Sequence, residues 1–239
     1  MREHILVVDD ETEIADLIEL CLLNEGFTVY KCYDGRSALQ YVKTAHIDLA
    51  ILDVMLPDVD GFTICREIRE QAFYPIIMLT AKVEDTDKIM GLTIGADDYI
   101  TKPFNPLEVV ARVKTQLRRY MRYNNHAESD QGTGKAPEDA AEYDIRGLTI
   151  QKNTHTCMLF GKEIQLTPTE FNVLYYLCAH KGKVVSAEEL FQAVWGEKYF
   201  ENSSNTVMAH IGRLREKLHD HAKNPKYIKT VWGVGYKIE

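Results

Sequence analysis

The stretch LAILDV, residues 49–54, is apolar at every position except Asp53. Such a short apolar run is typical of a strand covered on both faces, because alternate side chains point to opposite faces and all must avoid water. Four other short runs have strand character: Ile5–Val8, Phe27–Tyr33, Ile76–Thr80 and Tyr99–Thr101. Helix-length segments separate the runs. The sequence therefore predicts an α/β doubly wound domain with a five-stranded parallel sheet.

Composition divides the chain into three parts. Residues 123–144 contain no Ile, Leu, Val or Phe, so they cannot bury enough apolar surface to fold alone, and we interpret them as a flexible linker. The net charge is −7 over residues 1–122, −5 over 123–144 and +4 over 145–239. The C-terminal part is basic and the N-terminal part acidic, which favours nucleic acid as a partner of the C-terminal part. A net charge of +4 is weak support when taken alone.

Several protein classes are excluded by simple counts. No apolar run approaches the length of a membrane span, and the N-terminus lacks the pattern of a signal peptide. The five cysteines are dispersed and form no CxxC pair, which is typical of reduced thiols. We therefore expect a cytoplasmic protein with no membrane attachment.

The C-terminal part, 145–239, has a different pattern. Short strands are predicted over residues 145–166, and Thr167 and Ser186 each begin a capping-box sequence that opens a helix. A third helix is predicted from about Ser204 to His219, and residues 227–239 alternate around two glycines like a β-hairpin. Strands, three helices and a closing hairpin predict an α+β winged-helix domain.

Polar residues stand at the ends of the predicted parallel strands: Asp9 and Asp10 after the first, Asp53 after the third, Thr80 after the fourth and Lys102 after the fifth. The carboxyl ends of parallel strands meet at one edge of a sheet, where ligands bind. Three converging carboxylates need a cation, and oxygen ligands beside a phosphate favour Mg²⁺. The alternative is that these acids only cap helices or face water.

Four segments resemble the response-regulator receiver domain, over nearly all of residues 1–122: VVDDE (7–11), LDVMLPDVDG (52–61), PIIMLTA (75–81) and GADDYITKPF (95–104). The resemblance implies a flavodoxin-like fold with Asp53 as phosphoacceptor. It assigns Mg²⁺ binding to Asp9, Asp10, Asp53 and the backbone carbonyl of Met55. It implies that Thr80 contacts the phosphoryl group, that Lys102 pairs with it, that Tyr99 changes rotamer on activation, and that Lys102-Pro103 is cis.

The chemistry implied by this resemblance is phosphoryl transfer. A sensor histidine kinase presents phosphohistidine, and Asp53 attacks the phosphorus in line while Mg²⁺ and Lys102 neutralise the equatorial oxygens. The product is an acyl phosphate. The protein is then a regulator and not an enzyme.

Charges between Lys88 and Arg119 resemble the dimerisation face of the OmpR/PhoB subfamily of receivers. The resemblance implies three pairs between subunits of a phosphorylated homodimer: Lys88 with Glu108, Asp98 with Arg112, and Asp97 with Arg119. Ile89 and Val113 are the candidates for its apolar centre. Without the resemblance, these charges would be ordinary solvated residues.

Residues 145–239 resemble the OmpR/PhoB-type winged helix through LTPTEFNVL (166–174) and PKYIKTVWGVGYKIE (225–239). The resemblance implies that the 204–219 helix enters the major groove and that the hairpin forms the wing. The implied DNA contacts are Asn205, Thr206, His210, Arg213, Arg215 and Thr230. Arg213 is the expected base reader, since a guanidinium can grip guanine through two acceptors, and Arg215 and His210 are expected to hold phosphates. Met208, Gly212 and Trp232 depart from residues common in relatives.

Within this subfamily, the amino-acid sequence is similar to the sequences of regulators of vancomycin-resistance operons. We therefore expect promoter DNA with direct repeats, and RNA polymerase, as partners. Three alternatives remain open. The same architecture could control another cell-envelope operon. A Mg²⁺-dependent aspartyl phosphatase is disfavoured because Asp53-Val54-Met55 lacks a second acid. A phosphorylation-independent, degenerate receiver is disfavoured by the full set of acids.

Overall fold

The structure, a computed structural model, describes residues 2–81, 95–128, 142–196, 199 and 203–239. The chain divides into two compact units, 1–120 and 121–239, and each is considered by itself. No helix within the described ranges is both long enough and apolar enough to cross a membrane.

The first unit alternates strands and helices. Its elements are β1 (His4–Val8), α1 (Thr12–Asn24), β2 (Thr28–Cys32), α2 (Gly35–Thr44), β3 (Leu49–Asp53), α3 (Gly61–Gln71), β4 (Ile76–Ala81), β5 (Asp98–Lys102) and α4 (Pro106–Glu128). The sheet has the order β2-β1-β3-β4-β5, and every pair is parallel. The predicted flavodoxin-like fold is confirmed.

Both faces of this sheet are covered, as the continuous apolar runs predict. In β1, Ile5 and Val7 belong to a core cluster that includes Ile18 of α1 and Val113 of α4. Leu6 and Val8 point to the other face and belong to a second cluster, which includes residues of α2 and α3. The alternation of a strand therefore places successive residues in two separate cores.

Both ends of the predicted linker, 123–144, lie in regular secondary structure. Helix α4 continues to Glu128 and so includes residues 123–128, and the next strand begins at Glu142. A segment that lacks large aliphatic residues cannot form a core of its own, yet it can still continue a helix that has already been nucleated. Of the predicted linker, residues 129–141 lie outside the described residues.

In its described residues from 142 onward, the second unit contains three helices and two small antiparallel sheets. Its elements are β6 (Glu142–Ile145), β7 (Leu148–Gln151), β8 (Thr156–Leu159), β9 (Lys162–Glu163), α5 (Pro168–Ala179), β10 (Val185–Ser186), α6 (Ala187–Trp195), α7 (Ser203–Lys217), β11 (Ile228–Val231) and β12 (Gly235–Ile238). The sheet orders are β6-β7-β8-β9 and β10-β12-β11. The β11–β12 hairpin is the predicted wing.

The helices of the second unit enclose one apolar core. Val207, Ile211 and Leu214 of α7 pack in the same cluster as Trp195 of α6 and Phe171 of α5. The capping box at Thr167 forms as predicted, because the Thr167 side chain accepts from Glu170 N and Glu170 accepts from Thr167 N. This reciprocal bonding fixes the start of α5.

Candidate functional site

The register of the parallel sheet brings two acids together. Val8 of β1 lies opposite Leu52 of β3, so Asp9 and Asp53 follow at neighbouring strand ends. This is the point where the strand order reverses, between β1 with β2 on one side and β3 with β4 on the other. Asp9 and Asp53 are both buried. The predicted convergence at the carboxyl edge of the sheet is present.

Lys102 is the cation that the carboxylates share. Its Nζ lies 2.9 Å from Asp9 Oδ2, 2.8 Å from Asp53 Oδ2 and 2.9 Å from Glu11 Oε1. Burial alone would lower the pKa of this ammonium, but its hydrogen bonds to the carboxylates of Asp53, Asp9 and Glu11 raise the pKa well above its usual range. Lys102 is therefore a fixed positive charge beside Asp53.

The pKa of the Asp9 carboxyl is subject to opposing effects. Burial raises its pKa above the ordinary value, and the nearby Asp53 carboxylate adds to the rise, whereas Lys102 and the amide of Glu11 lower the pKa. The net direction is upward. Lys102 therefore does not fully offset the burial of Asp9, and additional positive charge at this site would stabilise the ionised Asp9 carboxylate.

The donor set suits a hard cation. One carboxylate oxygen each from Asp9, Asp10 and Asp53 lies within 4.8 Å of the other two. Asp10 is exposed at the rim, whereas the other two are buried, so the group opens to solvent on one side. The Met55 amide donates to Asp53 Oδ1 at 3.2 Å and so helps to orient that carboxylate. Oxygen ligands around an open position fit Mg²⁺, which keeps several waters when bound to proteins.

Thr80 and Tyr99 lie on the neighbouring strands. Thr80 is buried at the end of β4, and its hydroxyl donates to the Ala81 carbonyl at 3.0 Å. Tyr99 is half-buried on β5, and its side chain packs against the core cluster that contains Leu6 and Val8. The Lys102-Pro103 bond is cis, as the resemblance implies.

Two residues of this site did not stand out in the sequence. Glu11 contacts Lys102, and its position directly after Asp9-Asp10 is the signal that could have indicated it. Gly61 begins α3, and a Cβ added there would lie 2.0 Å from the Asp53 carbonyl oxygen. Only glycine therefore permits α3 to approach the end of β3 so closely.

The predicted dimerisation charges are largely engaged within the chain. Asp98 pairs with Arg112 at 2.9 Å, and Arg112 also pairs with Glu108. Asp97 is 1% exposed and pairs at 2.6 Å with Arg69, which lies on α3. Asp97 also accepts a bond from the amide of Ile76.

Two members of the predicted dimer interface are buried in this structure. Asp97 pairs with Arg69 inside the fold, whereas the resemblance implies a pair with Arg119 of a second subunit. Val113 is fully buried in the core and cannot form an apolar centre between subunits. Lys88 and Ile89 lie outside the described residues.

Three of the predicted DNA contacts on α7 are buried in this structure. Arg213 is 4% exposed, His210 is 0% exposed and Thr206 is also buried. The ring of His210 packs on Trp195 with centroids 5.2 Å apart. In this structure these three side chains are therefore not presented to solvent on α7.

The interior position of Arg213 has an electrostatic reason. Glu170 is buried at the start of α5, with Lys217 Nζ at 2.6 Å and Arg213 Nη1 at 3.7 Å. Burial would raise the pKa of the Glu170 carboxyl, but Arg213 and Lys217 outweigh it and hold the pKa below its ordinary value. Arg213 is therefore a counterion for buried Glu170, which lies 43 positions earlier in the sequence.

The outward face of α7 carries Asn205, Met208, Ala209, Gly212 and Glu216. Arg215 is partly buried and donates to the Ile228 carbonyl and to the Thr230 hydroxyl, at 2.7 and 2.9 Å. Two of the predicted DNA contacts, Arg215 and Thr230, thus join α7 to the wing. At the wing tip, Trp232 is 90% exposed.

Comparisons with known proteins match both units. Residues 5–114 match the response regulator receiver domain, and residues 161–238 match the C-terminal domain of transcriptional regulatory proteins. The chain is 61% identical over 239 residues to regulatory protein VanRc of Enterococcus gallinarum and 56% identical over 239 residues to regulatory protein VanR of Enterococcus faecium. Each alignment covers 100% of both proteins.

Solved structures also align with nearly the full length of the chain. Response regulator DrrB, an OmpR/PhoB homologue of Thermotoga maritima, is 35% identical with a TM-score of 0.50, covering 100% of this chain and 99% of that one. A RitR mutant is 27% identical with a TM-score of 0.69, and 99% of each chain is covered. The chain therefore belongs to the OmpR/PhoB family of response regulators, with a receiver domain followed by a DNA-binding domain.

Proposed function

We propose that Asp53 accepts a phosphoryl group from a sensor histidine kinase and that this modification controls promoter binding by the winged-helix domain. The observation that carries the proposal is the arrangement around Asp53. Its carboxylate lies at the end of β3, held at 2.8 Å by Lys102 and beside the carboxylate of Asp9. The winged-helix domain on the same chain supplies the output.

The residues of the site have distinct roles in this transfer. An oxygen of Asp53 attacks the phosphorus as the bond from phosphorus to the donor's imidazole nitrogen breaks, which gives an acyl phosphate and a free histidine. Lys102 stabilises charge on the phosphoryl oxygens, and Thr80 reaches them after giving up its bond to the Ala81 carbonyl. When bound by Asp9, Asp10, Asp53 and the carbonyl of Met55, Mg²⁺ supplies further positive charge at these oxygens.

The direct test is labelling by acetyl phosphate in the presence of Mg²⁺. Asp53→Ala should abolish labelling, because Asp53 is the proposed nucleophile and the other two carboxylates of the group, Asp9 and Asp10, are assigned to Mg²⁺ binding. Asp10→Ala keeps the nucleophile and should slow labelling by weakening the binding of Mg²⁺. Asp58→Ala is a control, since Asp58 binds the amides of Gly35 and Arg36 instead. Full labelling of the Asp53→Ala protein at another residue would refute the assignment.

Phosphorylation then brings two chains together in our proposal. The described residues that carry it are Glu108, Arg112 and Asp98, which form a charged group at the start of α4 and on β5. In the dimer, Arg112 of each chain would pair with an acid of the other chain instead of an acid of its own. Because the two chains would make the same contacts, the interface would be symmetric. Lys88 remains a predicted member of this interface, and Tyr99 the predicted switch.

DNA binding in this proposal uses the outward face of α7. Asn205 lies in the first turn of that helix, the part that meets base edges in helix-turn-helix proteins. Arg215 and Thr230 hold the wing against α7, and Trp232 extends from its tip. Two such domains on direct repeats would bind cooperatively because dimerisation raises their effective concentration. RNA polymerase is the further partner at the promoter.

The relatives suggest which genes are regulated. Because regulatory proteins VanRc and VanR are 61% and 56% identical over the full chain, we propose that this regulator controls glycopeptide (vancomycin) resistance genes. A different cell-envelope operon is the second candidate. Footprinting of the phosphorylated protein on DNA upstream of its own operon distinguishes the two, since protection of a resistance promoter supports the first and its absence supports the second.

A further inference from the structure

A second cluster of potential metal ligands lies at the opposite edge of the receiver sheet. His4 is the first residue of β1, Asp48 directly precedes β3, and His46 lies in the connection from α2 to β3. Because the strands are parallel, these residues gather at the amino edge, whereas Asp53 ends β3 at the carboxyl edge. Phosphorylation and DNA binding make no use of this cluster.

The backbone holds Asp48 firmly in place. Its amide donates to the His4 carbonyl at 2.8 Å, and its Oδ2 accepts from the His4 amide, also at 2.8 Å. Asp48 is buried, so its carboxylate has little freedom to move. The other oxygen, Oδ1, lies 3.1 Å from His46 Nε2. One side of the cluster is thus a rigid carboxylate.

His4 supplies a second fixed donor. Its Nδ1 lies 3.6 Å from Asp48 Oδ2, too far for a hydrogen bond, and has no hydrogen-bond partner in the part of the chain that the structure describes. This nitrogen is nonetheless inaccessible to solvent. The His4 ring is held by stacking on Tyr30, with centroids 5.7 Å apart, and Tyr30 stacks in turn on Tyr41 at 5.1 Å.

The spacing suits a small cation after one adjustment. One ligand atom from each of His4, His46 and Asp48 lies within 4.8 Å of the other two. Ligands bonded to Zn²⁺ at about 2.0–2.2 Å in a tetrahedron are about 3.4 Å apart, so the ring nitrogens must close in slightly. His46 can do so, because its side chain is 76% exposed.

We propose that His4, His46 and Asp48 form a binding site for a divalent transition metal. The ion is Zn²⁺, and water completes its coordination. Two imidazoles and one carboxylate favour Zn²⁺ over Mg²⁺, whereas the all-carboxylate group around Asp53 favours Mg²⁺. The two edges of the sheet thus carry sites with different ligands, one suited to Zn²⁺ and the other to Mg²⁺. Bound Zn²⁺ links β1 to the entry of β3 and stabilises the receiver fold.

The test is a titration of the tag-free, full-length protein in saturating Mg²⁺. Calorimetry with Zn²⁺ and visible absorption with Co²⁺ should each show one site of micromolar affinity or tighter, with the absorption of Co²⁺ bound to nitrogen. His46→Gln should weaken binding about tenfold or more, as loss of one of three protein ligands requires. Since His46 is exposed, this variant should keep the fold, which circular dichroism checks.

Two matched controls separate this site from others. Asp53→Asn alters the acidic site at the other edge and should leave Zn²⁺ affinity unchanged. The double variant His219→Gln with His221→Gln removes two exposed histidines of the second unit and should also have no effect. Absence of Zn²⁺ and Co²⁺ binding by the wild type, or equal binding by His46→Gln, would overturn the proposal. Neither result would bear on the role of Asp53.

Discussion

At the scale of single residues, Arg213 shows how burial decides the role of a charge. Placed on α7, it has the chemistry of a base reader, yet its guanidinium lies inside the domain near Glu170. A charged group is rarely buried unless a partner compensates the loss of hydration. Arg213 and Lys217 both compensate Glu170, and Arg213 is therefore a structural residue.

Arg213→Ala should reduce the free energy of unfolding of the second unit by about 1–3 kcal/mol. The loss should stay below the about 3–5 kcal/mol typical of a broken buried pair, because Lys217 still neutralises Glu170. Urea denaturation followed by tryptophan fluorescence measures this, since Trp195 and Trp232 both lie in the second unit. Glu216→Ala, exposed on the same helix, is the control and should change the free energy by less than about 0.5 kcal/mol. Unchanged stability with relaxed base preference would restore Arg213 as a reader.

At the scale of secondary-structure elements, Glu170 joins α5 to α7. It completes the capping box at Thr167 and also accepts from Lys217 on α7. Its pKa is lowered in the folded state, so it contributes stability that is fully present above the unfolded-state value of about 4.3 and is lost as the pH falls through the lower folded-state value.

Glu170→Gln should make the stability of the second unit less dependent on pH below about 4.3. At pH 7 it should cost about 3–5 kcal/mol, because it removes the carboxylate from a buried group of charges that includes Arg213 and Lys217. Urea denaturation from pH 7 to 3, followed by tryptophan fluorescence, tests both effects. Glu163→Gln, exposed on β9, is the matched control. Parallel pH profiles for the wild type and Glu170→Gln would contradict the assigned role of Glu170.

The outward face of α7 determines which bases can be read. Its exposed and partly exposed residues are mostly uncharged, and Asn205 is the member able to make two hydrogen bonds to adenine. Asn205→Ala should therefore weaken binding to the cognate site by about 1–3 kcal/mol and relax preference at one base position. Gel shifts on cognate and scrambled DNA measure this, with Glu163→Ala as control. Equal losses on both DNAs would exclude Asn205 as a reader.

At the scale of the whole molecule, phosphorylation is expected to change the oligomeric state. Beryllofluoride, which mimics the phosphoryl group on Asp53, should convert the wild type from monomer to dimer in sedimentation velocity. Glu108→Lys should weaken that dimer, because it reverses an exposed charge beside Arg112. Lys114→Glu, on the same helix but paired with Glu25, is the control and should dimerise normally. A wild type that stays monomeric, or equal dimerisation of Glu108→Lys, would contradict the proposed interface.

The sequence alone determined the features that depend on near neighbours. Apolar runs predicted all five strands of the receiver, and the residues directly after them predicted the site of Asp9, Asp53 and Lys102. The capping box at Thr167 was also readable, since its two members are three residues apart. These features are local because periodicity and strand polarity fix which side chains share an edge or a face.

Only the tertiary structure decided how distant charges pair. Asp97 pairs with Arg69 across 28 positions, and Glu170 pairs with Lys217 across 47, so neither partner shows in a local pattern. The same holds for His4 and Asp48, which meet because β1 and β3 are neighbours in the sheet. A charged residue on a predicted helix surface can therefore be a ligand for DNA or a counterion in the core. Burial, which depends on the packing of every element, distinguishes the two.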